Sequence, residues 1–128
     1  MIRAALRAAL ALVFALACGF AAAPRVLAHA IVLESSPTHD AALTESPGRI
    51  ILRFNSRIEA ALSRVTIETA NGKAIALPAA RDTGSEVNRL VVPVGPLAPG
   101  TYIVRYRVLA ADGHVTEGAL RFSVKAAP

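Results

Sequence analysis

Tryptophan is absent from this 128-residue chain, and cysteine and methionine occur once each. A lone cysteine closes no disulfide within the chain, so the fold has to rest on its apolar core. Both sulfur-bearing residues, Met1 and Cys18, fall in the first eighteen positions, and nothing after them offers a soft ligand for Cu(I) or an iron–sulfur centre. Clustered charge is missing too: the basic residues beyond the start are scattered along alternating segments, which argues against a nucleic-acid surface. Also missing are internal repeats, a Gly-rich phosphate loop, a Ser–His–Asp arrangement and paired catalytic carboxylates.

What is present begins with a leader. Arg3 and Arg7 form a positive n-region, and Ala8 to Phe20 is an apolar run short of the roughly 20 residues of a membrane span. Val26-Leu27-Ala28 places small residues at −3 and −1 of a cleavage site, so residues 1–28 read as a secretory signal peptide and 29–128 as one mature domain. Ala15-Leu16-Ala17-Cys18 is a second, poorer possibility, a lipoprotein box with its Leu displaced. Cleavage after Ala28 removes three of the fourteen basic residues and none of the nine acidic ones, lowering the formal net charge from +5 to +2.

The mature part alternates in short stretches. Residues 30–34 read as a strand, 35–40 as a turn, and 49–54 as a strand with Ile50, Leu52 and Phe54 on one face. Residues 55–62 are ambiguous. Residues 63–69 and 73–77 read as a hairpin about a two-residue Asn71-Gly72 turn, and 78–88 as a long exposed loop. Residues 89–94 form a strand with Pro93 at an edge or end. Pro99-Gly100-Thr101-Tyr102 is similar to a tyrosine corner, and Tyr102, Val104, Tyr106 and Val108 share one face. Leu120, Phe122 and Val124 close the domain in register. About seven short strands without a helix imply an all-β, immunoglobulin-like Greek-key sandwich.

The chemistry lies in the histidines, His29, His39 and His114. A free terminal His29 would offer its α-amine and Nδ1 together to one metal. Ala111-Asp112-Gly113-His114 ends the longest strand with a carboxylate and an imidazole two residues apart, and Gly113 permits a tight turn. Three nitrogens and an oxygen form a tetragonal set that favours Cu(II) over Zn(II). On spacing alone, the slightly better reading is His29 as a frayed terminus and His114 as a loop tip, because lone histidines usually bind nothing. The coincidence that the cleavage site falls immediately before a histidine favours the metal.

With these residues in view, the chain resembles the CopC family of bacterial periplasmic copper-binding proteins. The matching pieces are His29-Ala30, Ser36-Pro37, Arg49 to Phe54, Pro99 to Val108, Ala111-Asp112-Gly113-His114 and Gly118 to Val124. The resemblance implies a cupredoxin-like barrel or sandwich holding one Cu(II) per mature chain through His29, Asp112 and His114, an arrangement similar to the histidine brace. It also implies a periplasmic binding role in copper sequestration, homeostasis or delivery, with an inner-membrane CopD-type copper transporter as partner; a monomer is expected. The chain departs from the family pattern in three places. The Met-rich Cu(I) loop is missing, Asn55-Ser56-Arg57 stands where some members carry a Glu ligand (Glu59 is the nearest carboxylate), and Tyr106 replaces a common Trp. His39 reads as a surface residue.

Two other functions compete. A histidine brace is also the centre of copper-dependent polysaccharide oxygenases, but a carboxylate in the copper plane fills a position that oxygen needs, and aromatics for a sugar platform are few. A metal-free structural sandwich is the other. The binding, non-enzymatic reading is the one expected.

Overall fold

The alternation becomes eight strands in the computed structural model, which describes residues 29–78 and 86–127. The expected leader, its cleavage site and the middle of the 78–88 loop lie outside the described residues. One sheet holds β1 (Val32–Ser36), β3 (Arg49–Phe54) and β6 (Arg89–Pro93) in the order β1-β3-β6. The other holds β2 (Ala41–Leu43), β4 (Arg64–Thr69), β5 (Ala74–Ile75), β7 (Gly100–Leu109) and β8 (Val115–Val124) in the order β2-β8-β7-β4-β5. Successive strands mostly change sheets, so the chain winds a two-layer sandwich around one core, as the pattern predicted.

That core is built from the predicted faces. Ile50, Leu52 and Phe54 of β3 and Leu90 and Val92 of β6 meet Val65 and Ile67 of β4, Tyr102, Val104 and Val108 of β7, and Leu120 and Phe122 of β8. Each fully buried aliphatic or aromatic side chain contributes roughly 1.5–3 kcal/mol relative to exposure. The Tyr102 hydroxyl donates to Ala98 O at 2.6 Å, so the Pro-Gly-Thr-Tyr segment does make the expected corner. The Tyr102 ring stacks on Phe122, and Tyr106 meets Phe54 edge-on at 6.1 Å.

Four boundaries differ from expectation. The eighth strand, β2, pairs in parallel with β8 over Ala41–Leu43, too short a stretch to show a period of its own. β8 begins at Val115 rather than Ala119, because 115–118 are half-buried or exposed and carry no apolar alternation. β1 is displaced to Val32–Ser36 by a bulge at Leu33, which lets Ala30 sink into the core ahead of it. The Asn71-Gly72 connection is a three-residue loop: Thr69 N donates to Lys73 O, Gly72 N donates to Thr69 O, and only Gly72 takes a positive φ. Residues 55–62, left open by the sequence, form an irregular bridge ending in one 3₁₀ turn, Ala60–Leu62.

Candidate metal centre

The β7–β8 hairpin closes as tightly as its glycine allows. Ala110 N donates to His114 O, Gly113 N donates to Ala110 O, and Gly113 sits at φ +88°. The turn presents Asp112 and His114 two positions apart. Oδ1 of Asp112 accepts the His114 amide at 3.0 Å, while Oδ2 lies 3.2 Å from His114 Nδ1. Nδ1 itself is buried, and no partner meets the geometry of a hydrogen bond to it. The His114 amide, followed by the nearby His114 and His29 rings, holds the Asp112 carboxyl below its usual range while partial burial opposes the shift. A carboxylate beside Nδ1 favours the proton there and leaves Nε2 as the lone-pair donor.

His29 arrives from the other sheet. Ala30 is fully buried, and Ile31 is clasped twice by Asn55, whose side-chain Oδ1 accepts Ile31 N at 2.8 Å and whose amide donates to Ile31 O. These contacts bring the His29 ring to within 5.6 Å of the His114 ring, centroid to centroid and edge-on at 82°. Residues 57 and 58 tie the two layers together just behind: Ala111 N donates to Arg57 O, and Ile58 pairs with Ala110. Ser63, buried beneath the 3₁₀ turn, accepts Leu109 N and donates to Glu59 O, fixing the base of the hairpin.

The structure therefore brings together all three residues singled out in the sequence, although 83 and 85 positions separate His29 from Asp112 and His114. Among the described residues no three His, Cys, Asp or Glu side chains stand close enough together to hold a metal ion as they are. The assembly is open: two imidazoles in edge contact with a carboxylate against one of them. Three nitrogen donors and one oxygen are what it can offer, if the amine of His29 is free.

His39 is elsewhere. Its Nδ1 accepts the Arg121 amide at 3.2 Å, and its Nε2 lies 3.4 Å from Asp40, which in turn binds the Arg121 guanidinium. Arg121 is seven positions along β8 from His114, about 20 Å at a strand's rise per residue. The surface placement holds, with a structural duty added: His39 helps to pin β2 to β8. Glu59 contributes backbone bonds to Leu109 and Ser63. Asn55 is the positioning residue that the sequence did not reveal, since a polar residue after Phe54 carries no spacing signal.

Comparison with known proteins agrees with this fold. Residues 32–125 match the model of the CopC domain. The chain is 35% identical over 103 residues to Protein YobA of Escherichia coli (strain K12), covering 80% of this chain and 83% of that one. It is 31% identical over 110 residues to Copper resistance protein C of Xanthomonas campestris pv. juglandis, covering 81% and 86%. The crystal structure of CopC from Methylosinus trichosporium OB3b superposes with a TM-score of 0.69 at 30% identity, over 76% of this chain and 94% of that one.

Proposed function

Because the chain belongs to the CopC family, we propose that it is a copper-binding protein that holds one Cu(II) between His29, Asp112 and His114. The observation that carries the reading is the contact of the His29 and His114 rings, delivered from opposite sheets to one edge with Asp112 beside them. His29 would contribute its α-amine and Nδ1, which requires cleavage after Ala28 in the periplasm. His114 would contribute an imidazole nitrogen and Asp112 an oxygen. The set is nitrogen-rich and free of sulfur, and so is matched to Cu(II) rather than Cu(I).

Copper is cargo in this reading. The half-exposed side chains of Asp112 and His114 leave the metal within reach of a second protein, and a membrane copper transporter of the CopD type is the proposed recipient. An oxygenase role is less consistent, because the carboxylate beside His114 occupies the space an oxygen molecule would need.

The test is a titration of the secreted protein followed by native mass spectrometry, with affinity read by competition with a chelator. One tight Cu(II) per chain and weak retention of Cu(I) are expected. A variant carrying one Gly before His29 keeps every side chain but turns the amine into an amide, and it should lose affinity about as severely as one lacking a ligand imidazole. Unchanged affinity in the Gly-extended protein would remove the amine from the site.

A further inference from the structure

The outer face of the larger sheet carries a second concentration of chemistry, remote from the core. An open groove of about 450 Å³ runs across β4, β7 and β8 between Arg64, Arg105, Arg107 and Glu117, over a floor kept low by Thr66 and Ala119. Three guanidiniums line it against one carboxylate. Arg64 and Arg107 stand directly opposite each other on neighbouring antiparallel strands. Like charges in that relation destabilise a sheet, since facing Cβ atoms are about 5 Å apart.

The available carboxylates do not resolve the repulsion. Arg107 is held by Glu117 on β8 at 2.9 Å, and Arg105 by Glu68 one row further along β4, also at 2.9 Å. Arg121 is engaged by Asp40. Among the described residues the Arg64 guanidinium makes no ion pair or side-chain hydrogen bond, although it lines the groove. Two of the three guanidiniums thus have donors to spare beyond a single Nε contact, and the third has all of its own.

We propose that this groove binds a phosphate-class oxyanion, free or as a headgroup, between the side chains of Arg64, Arg105 and Arg107. A tetrahedral anion with several acceptor oxygens is served by guanidiniums lining one groove from two strands, whereas a planar carboxylate is satisfied by one fork. The site is distinct from the copper residues, which lie beyond the end of the same strands, and it does not depend on the copper reading.

Inorganic phosphate titrated into the protein at constant ionic strength, balanced with chloride, tests this. Saturable amide NMR shifts at 64–66, 105–107 and 117–119 are expected, with a rise in melting temperature. Arg64→Gln and Arg107→Gln should each weaken phosphate about tenfold, the loss of one charge-assisted contact of ~1.4 kcal/mol. In chloride alone Arg64→Gln should melt no lower than the parent, because it removes one half of a repelling pair. Sedimentation with phosphatidylglycerol vesicles but not phosphatidylcholine vesicles, lost in Arg64→Gln, would identify a lipid headgroup as the source of the anion. Saturable phosphate binding without vesicle binding would identify a free anion. Shifts that fail to saturate, that chloride reproduces, or that survive in both arginine variants would overturn the proposal. Cu(II) affinity is read in parallel and should be unchanged in every variant, so the two readings fail separately.

Discussion

Two turns in this protein have nearly the same backbone and opposite fates. Ala70-Asn71-Gly72 joins β4 to β5, and Ala111-Asp112-Gly113 joins β7 to β8. In both, the residue before the loop donates its amide to the carbonyl of the residue after it, and the glycine amide returns to the first carbonyl. Both glycines take a positive φ, +81° and +88°. They sit at opposite ends of the sheet, because β4 and β7 run antiparallel with Thr69 facing Tyr102. One turn leads into a two-residue strand and carries no chemistry. The other leads into a ten-residue strand and carries a carboxylate against an imidazole. Turn shape is therefore generic, and function enters through what the turn holds and what reaches it.

Two side-chain contacts make the difference. In the first loop the amide after glycine, Lys73 N, is capped by the hydroxyl of Thr69 from the preceding strand, leaving Asn71 unused. In the second, His114 N is capped by Asp112 from within the loop, which draws the carboxylate onto the same side as the histidine. The second loop is then visited by the His29 arm fastened by Asn55. The largest expected effect separates the loops on this ground. His114→Ala should lower Cu(II) affinity by at least about a hundredfold, beyond what loss of an outer-shell partner costs. Lys73→Ala, at the equivalent position, should leave affinity unchanged. Both proteins should melt close to the parent, since neither side chain belongs to the core. Equal copper affinity in the two variants would mean that the hairpin end is not the metal site.

A smaller effect tests the likeness rather than the difference. No atom lies within 4 Å of the place where a Cβ would stand on either Gly72 or Gly113, so an alanine there meets only the strain of a left-handed backbone. Gly72→Ala and Gly113→Ala should therefore each cost about 1 kcal/mol of stability, by equilibrium denaturation. Only Gly113→Ala should also weaken copper, through displacement of Asp112 and His114. A markedly larger stability loss at one glycine would show that the two backbones are not equivalent.

The contrast also marks what could be read from the sequence. Both Asn-Gly and Asp-Gly are visible as turns, and the apolar faces of β3, β7 and β8 as a sandwich core, because period-two burial is a local signal. The length of the first loop was misjudged by one residue, since Thr69 N bonding to Lys73 O is decided by strand register, not by the dipeptide. β2 escaped because three residues paired in parallel to a distant strand have no period of their own. His29, Asp112 and His114 were legible through their residue types and their place after the expected leader and strand. The clasp of Asn55 on Ile31 was not legible, for it joins positions 24 apart through one side-chain oxygen.

The smallest effect distinguishes the loops by titration. Asp112 carries an ionisable carboxyl and Asn71 does not, and in the folded protein the Asp112 carboxyl is held below its ordinary value, chiefly by the His114 amide. A carboxyl depressed on folding contributes stability that is fully present above its unfolded pKa and disappears as pH falls through its folded pKa. Glu34 and Asp40 are depressed as well, by Arg53 and Arg121, so the parent protein alone would not isolate Asp112. Asp112→Asn does: it gives the second loop the Ala-Asn-Gly sequence of the first, keeps an oxygen able to accept the His114 amide, and leaves Glu34 and Asp40 titrating in both proteins. Above pH about 5 the apo parent should melt slightly higher than the variant, and the gap should close as pH drops below about 4, the unfolded range of an aspartyl carboxyl. Paired thermal melts across that interval measure it. A gap that widened toward acid would mean that Asp112 is destabilised by its neighbours, and the His114 amide would no longer explain how the carboxylate is held in place.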